Sequence, residues 1–132
     1  MKGKFVPSAV VEREQLDWGE LGWICRPSIT GATAVTVIVV TLNPGGGHDF
    51  HKHPDQEEVI TVISGEIEQW LEKERRILGP GDSIFIDSDI VHASFNAGDV
   101  PAILMVTLGP CVGETGYEMV EVADQAPWNS LR

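Results

Sequence analysis

Basic residues are few in this chain of 132: nine Lys and Arg stand against twenty Asp and Glu, leaving a formal charge of −11. An acidic surface repels phosphate backbones and anionic headgroups, so neither nucleic acid nor a membrane is expected as a partner. Long hydrophobic runs are missing too. No window approaches the roughly 18 apolar residues of a membrane span, and the start, Met1-Lys2-Gly3-Lys4-Phe5, lacks the apolar stretch of a signal peptide. A cytoplasmic location is the expectation. Cysteine is scarce: Cys25 and Cys111 lie too far apart for a CxxC metal pair and are too few for a disulfide framework. Free thiols in a reducing compartment are expected.

What is present suits one compact domain. The chain is 42% hydrophobic, enough for a single core and too short for two. Fourteen Gly and eight Pro, set between short runs of Val, Ile and Thr, predict many turns joining many strands, an all-β pattern. Residues 34–42 (AVTVIVVTL) are apolar on both alternating faces and predict a strand buried on both sides. Asn43-Pro44-Gly45-Gly46-Gly47 stops it. Further strands are expected at 51–53, 58–63, 66–71, 83–86, 91–96 and 102–108, divided by Pro54-Asp55-Gln56, Ser64-Gly65 and Gly79-Pro80-Gly81-Asp82. The charged run 72–76 reads as a solvated hairpin tip. About eight strands at this spacing imply a sandwich or barrel. Residues 12–19 read as a short helix or a loop, and 117–122 as one more strand.

Chemistry concentrates at four positions. Successive strand residues face opposite ways, so His51 and His53 project together while Lys52 points away. After the Pro54 turn, Glu58 starts the next strand and can meet both imidazoles from across the hairpin. His92 lies in a later β segment. Three imidazoles and a carboxylate suit a first-row divalent ion, with water filling the remaining positions. His48 sits beside the glycine turn, where an inward direction is not assured, and reads as a loop residue. Inward neighbours of the four would be Ile60, Val62, Ser94 and Asn96, a mostly apolar pocket for a small, partly apolar molecule. Trp70 reads as core. Glu57 should face away from Glu58, and Asp87 and Asp89 read as solvated loop acids.

The spacing resembles that of the cupin superfamily. Gly45, His51, His53, Glu58 and Gly65 occupy every named position of that family's first motif, and Gly81, His92 and Asn96 match the second, where Asp87 and Asp89 replace a proline and a glycine. The resemblance implies a single-domain double-stranded β-helix, with a core barrel at about 30–110 and terminal segments packed outside it. It also implies one iron, manganese, nickel, copper or zinc ion on His51, His53, Glu58 and His92, and a barrel mouth open to a small substrate. Such a site could serve an oxygenase, a non-redox isomerase, lyase or hydrolase, or a binding module without catalysis. No side chain stands out as a proton carrier, which favours metal-dependent oxygenation over non-redox chemistry. Neither cysteine has a neighbouring His or a helix start to make it a nucleophile. A homodimer is expected, because residues 34–42 are apolar on both faces and Val91, Ala93 and Phe95 form an apolar face opposite His92.

Overall fold

The computed structural model describes residues 2–132. In chain order the strands are β1 (Glu12–Leu16), β2 (Gly19–Cys25), β3 (Thr36–Leu42), β4 (Gly47–Lys52), β5 (Glu57–Ser64) and β6 (Ile67–Leu71). There follow β7 (Glu74–Leu78), β8 (Ser83–Ile86), β9 (His92–Asn96), β10 (Ala102–Gly109) and the short β11 (Val120–Glu121). They form two antiparallel sheets, ordered β1-β2-β3-β10-β5-β8 and β11-β4-β9-β6-β7. From β3 onwards the chain passes back and forth between the sheets, the winding of a double-stranded β-helix. No described helix is long and apolar enough to cross a membrane.

The core lies between the sheets. Every second residue of β3 and β10 is buried: Thr36, Ile38, Val40 and Leu42 on one, Ala102, Leu104, Val106 and Leu108 on the other, joined by Ile60 and Val62 of β5. This is the period of two that a pleated strand imposes. Each large aliphatic side chain removed from water contributes about 1.5–3 kcal/mol. The expectation that 34–42 is buried on both faces is corrected: Val37 and Val39 are half-buried and Val35 is exposed. Their side of the sheet is partly covered by the N-terminal segment, where Val6 and Val11 lie beside Ile24 and Val39.

A second cluster lies on the far face of the smaller sheet. Phe50, Trp70, Ala93 and Phe95 are covered there by Val122, Trp128 and Leu131 of the C-terminal tail. Phe50 meets Trp70 edge-on at 5.5 Å between centroids and lies 5.6 Å from Trp128. The Arg132 guanidinium sits 3.7 Å over the Phe95 ring and bonds Glu68 at 2.8 Å. The tail, not a second subunit, covers the Ala93 and Phe95 face.

Three local expectations change. Residues 12–19 are neither helix nor loop but most of a hairpin, β1 pairing with β2 from Glu12 opposite Trp23 to Leu16 opposite Gly19. β1 reads EREQL and is exposed at four of five positions, so an edge strand with little to bury shows no hydrophobic alternation. In the tail only Val120–Glu121 is strand. The turn in the charged run is confined to Glu72 and Lys73, with φ 52° at Glu72, and Glu74–Leu78 is strand.

Phe50 is 1% exposed at the centre of the second cluster. Phe50→Ala should lower unfolding stability by about 3–5 kcal/mol, whereas Ile77→Ala, at a 55% exposed position, should change it by less than about 0.5 kcal/mol. Urea denaturation of the two variants checks the contrast.

Candidate metal centre

β4 and β9 pair antiparallel with His51 opposite His92, and His53 follows the end of β4. Glu58 reaches them from β5, which belongs to the other sheet. The carboxylate therefore faces the imidazoles across the barrel, not across a hairpin. One ligand nitrogen from each of His51, His53 and His92 lies within 4.8 Å of the others, and Glu58 Oε1 is 2.7 Å from His92 Nε2 and 3.5 Å from His53 Nε2. All four side chains are buried, none more than 5% exposed.

The orientation of each ring is fixed from behind. Nδ1 of His51 is 2.7 Å from the Asp49 carbonyl, Nδ1 of His53 is 2.6 Å from that of Glu118, and Nδ1 of His92 is 2.9 Å from that of Ile90. A carbonyl can only accept, so each Nδ1 carries a hydrogen, and in the neutral ring each Nε2 is left with its lone pair towards the cluster. Nε2 of His53, Nε2 of His92 and Oε1 of Glu58 are buried with no hydrogen-bond partner among the described residues. Unpaired lone pairs converging in a dry interior are what a divalent cation satisfies, and the donor set suits a borderline transition metal.

The same groups also act on one another electrostatically. Burial alone would raise the Glu58 carboxyl, but the facing His92 and His53 outweigh it and hold the group well below the usual carboxylate range. Burial, then the neighbouring imidazoles of His48, His92 and His53, pushes His51 well below its ordinary value. His53 is raised, because the Glu58 carboxylate outweighs desolvation.

A cavity of about 50 Å³ opens beside the cluster. Ile60 and Ser94 line it, together with Leu104, Val106, Trp18 and Tyr117. Val62 and Asn96 do not: Val62 is packed in the core, and the Asn96 amide donates to the Leu42 and Val100 carbonyls at 3.0 and 2.7 Å. Trp70 also stays off the wall, in the second cluster. Glu57 is exposed and faces away from Glu58. Asp89 pairs with Lys52 at 3.0 Å, and the Asp87 carboxylate accepts from the Ser88 amide, so both remain surface acids of the loop.

Three contributors escape sequence reading. His48 is no loop residue: it lies in β4, lines the cavity and stacks on His51 with centroids 3.5 Å apart, while Trp18 stacks on its outer side at 5.2 Å. Strict alternation would set His48 on the face opposite His51, but the β4–β9 register shifts between the two, and such a bulge changes which way a side chain points. Gly47 permits it, since a Cβ there would run into the Phe95 ring and the Ser94 carbonyl. Tyr117, from the tail, meets His53 edge-on at 5.1 Å. Gln56, 1% exposed, fastens that tail: its amide donates to the Pro110 and Gly116 carbonyls at 2.8 and 2.9 Å and its carbonyl accepts from the Glu118 amide at 3.0 Å. The Glu118 carbonyl is the one that orients His53.

A family model described as the cupin domain matches residues 38–108, more than half of the chain. The chain is a cupin. Protein SchB of Streptomyces halstedii is 34% identical over 92 residues, covering 70% of this cupin and 67% of that protein. The polyketide synthase CurC of Streptomyces cyaneus is 28% identical over 110 residues, covering 83% and 71%. Among solved structures, the oxalate decarboxylase of Bacillus subtilis, with Mn(II) centres, superposes with a TM-score of 0.71 at 20% identity, covering 84% of this cupin and 30% of the decarboxylase. The last likeness concerns fold alone. The motif positions Gly45, His51, His53, Glu58 and Gly65 thus sit on a confirmed cupin barrel.

His92→Ala should lower affinity for a divalent transition metal by at least about 100-fold, since losing a mere supporting partner of a ligand already costs about 10–100-fold. Gln56→Ala should fall in that lower range, through its hold on the Glu118 carbonyl. Metal titration with circular dichroism checks both, and the His92 variant and chelator-treated protein should keep their β spectra, because the apolar strands supply the core.

Proposed function

We propose that this cupin is a mononuclear metal enzyme. One divalent ion (iron, manganese, nickel, copper or zinc) is held by the Nε2 atoms of His51, His53 and His92 and a carboxylate oxygen of Glu58, and a small, partly apolar organic molecule is oxygenated in the adjoining cavity. The observation that carries the reading is the set of three imidazoles whose Nδ1 atoms are pinned to carbonyls, so that only their Nε2 lone pairs face the cluster. When bound, the ion supplies a Lewis acid and, if redox-active, electrons.

The chain's own groups do the rest. Ile60, Leu104 and Val106 wall the cavity and exclude water beside the ion. The Ser94 hydroxyl is committed to Gln69, donating to its side-chain oxygen at 2.6 Å, and holds the β6–β9 pair beneath the cavity rather than the substrate.

One observation favours a second reading, non-redox proton transfer. Burial, reinforced by the Glu58 charge, raises the Tyr117 phenol, which therefore stays protonated as a donor on the cavity wall. Burial, then the nearby His53, lowers His48 to about 4, leaving a neutral imidazole there at pH 7. Both groups line the cavity, so a proton donor and a proton acceptor are in reach of a molecule bound there.

We also propose that the chain is a homodimer, paired through the outer face of the larger sheet. Val59, Ile63 and Phe85 lie there, exposed at 41, 52 and 55%, on adjacent strands with Val59 opposite Phe85. An apolar patch on paired strands is suited to a two-fold contact.

Separate reconstitution with iron, manganese, nickel and zinc, followed by oxygen uptake over phenolic, diketone, thiol and sugar-acid substrates, tests the reaction. Oxygen consumption by a redox-active form, and none by the zinc form, is expected; anaerobic turnover by the zinc form, lost in Tyr117→Phe, would establish the second reading instead. For the dimer, sedimentation at micromolar concentration should give twice the chain mass, and Phe85→Asp should reduce it to the monomer.

A further inference from the structure

The two cysteines, at opposite ends of the barrel sequence, converge at one backbone carbonyl. Cys25 closes β2 and Cys111 follows β10, the two strands that flank β3, and the irregular stretch leading into β3 runs between them. The Val35 oxygen accepts from both thiols, from Cys25 Sγ at 3.7 Å and from Cys111 Sγ at 3.2 Å. The sulfurs are therefore no further apart than the two legs of that shared contact combined. Each thiol touches a hydroxyl as well: Cys25 that of Thr30 at 3.1 Å and Cys111 that of Thr36 at 3.5 Å. Both cysteines are only half-buried, so a small oxidant can reach them. The backbone is braced on either side, with Cys111 N donating to the Thr33 carbonyl at 3.1 Å and Cys25 registered opposite Val37.

We propose that Cys25 and Cys111 are a redox clasp: a dithiol that closes to an intramolecular disulfide under peroxide. One thiolate attacks a peroxide oxygen, the O–O bond breaks, and the cysteine becomes a sulfenic acid while the departing hydroxide takes up a proton and leaves as water. The second thiolate then attacks the sulfenic sulfur, the S–S bond forms, the S–O bond breaks, and the oxygen leaves with a proton as a second water. The two thiols lose two electrons and two protons in all, and one peroxide is reduced to two waters.

The place of the clasp gives it a consequence. The segment after Cys111 is held by the Thr36 hydroxyl, which donates to the Gly116 carbonyl at 2.6 Å. That segment carries Tyr117 to the cavity wall and the Glu118 carbonyl to His53. A bond from Cys111 to the end of β2 anchors the segment at its root and closes a loop containing every strand from β3 to β10. Such a long loop restricts the unfolded chain and stabilises the fold. The proposal does not depend on the reaction the metal centre performs.

The test is to treat reduced protein with limiting hydrogen peroxide, alkylate the remaining thiols with iodoacetamide, and measure intact mass and a non-reducing peptide map. The expected result is a mass lower by two hydrogens, no alkylation, the Cys25 peptide joined to the Cys111 peptide, and a thermal midpoint several degrees higher than in the reduced protein, reversed by dithiothreitol. Cys25→Ser and Cys111→Ser should each abolish the shift, and the wild-type map decides the question even where a variant does not fold. Thiols that stay alkylatable, sulfinic acids, cross-linking between two chains, or an oxidised protein that melts no higher than the reduced one would overturn it.

Discussion

A carboxylate and three imidazoles sealed between apolar sheets are tolerable only where positive charge lies among them. Taking Glu58 out of water favours its neutral form, yet the imidazoles of His92 and His53 keep it ionised, and the atoms that crowd together lack hydrogen-bond partners. A buried charge left in that condition is destabilising. A divalent ion would satisfy the crowded atoms at once, and the neutral rings, their Nδ1 atoms bound to carbonyls, would offer it lone pairs and not N–H groups. The carbonyls of Asp49, Glu118 and Ile90 behind the rings are as necessary to the centre as the rings themselves.

The cluster of four was legible in the sequence because strand alternation is a strict rule over two residues. His51 and His53 share a direction across Lys52, and the cupin spacings supplied Glu58 and His92. The same rule failed at three residues' distance. Between His48 and His51 the ladder shifts register, and nothing in the order of side chains announces a bulge except a run of glycines that also suits an ordinary turn. Alternation also carried the pocket too far down the barrel. Ile60 and Val62 do share an inward face, but the floor is already filled by Leu42, Ile67 and Ala102, each 0% exposed, so Val62 is core and Asn96 is spent on two backbone carbonyls.

The outer faces were legible only as a surplus. Apolar residues on both sides of a strand say that two faces need cover without saying what covers them. For the smaller sheet the cover is the tail, whose sequence after Val122 has no periodicity because it is mostly turn, with a single short 3-10 turn at Trp128–Ser130. Its contribution rests on individual side chains, Trp128, Leu131 and Arg132, not on a repeating pattern. The edge strand β1 was missed for the related reason that it buries almost nothing.

The tail couples these two regions. Between its root at Cys111 and its cover over Phe50 it passes the histidine cluster, leaving Tyr117 on the cavity wall and the Glu118 carbonyl on His53. Gln56 fixes the middle of this path with three hydrogen bonds, and the Val122 amide fixes its end by donating to the Phe50 carbonyl at 3.0 Å. The imidazole of His53 can hold its direction only while that path is closed. Opening of the tail, a local event that does not require the barrel to unfold, would release one ring and expose the cavity together. The packing of an aromatic cluster on the outside of one sheet thus sets how firmly the His53 ring is held on its inside.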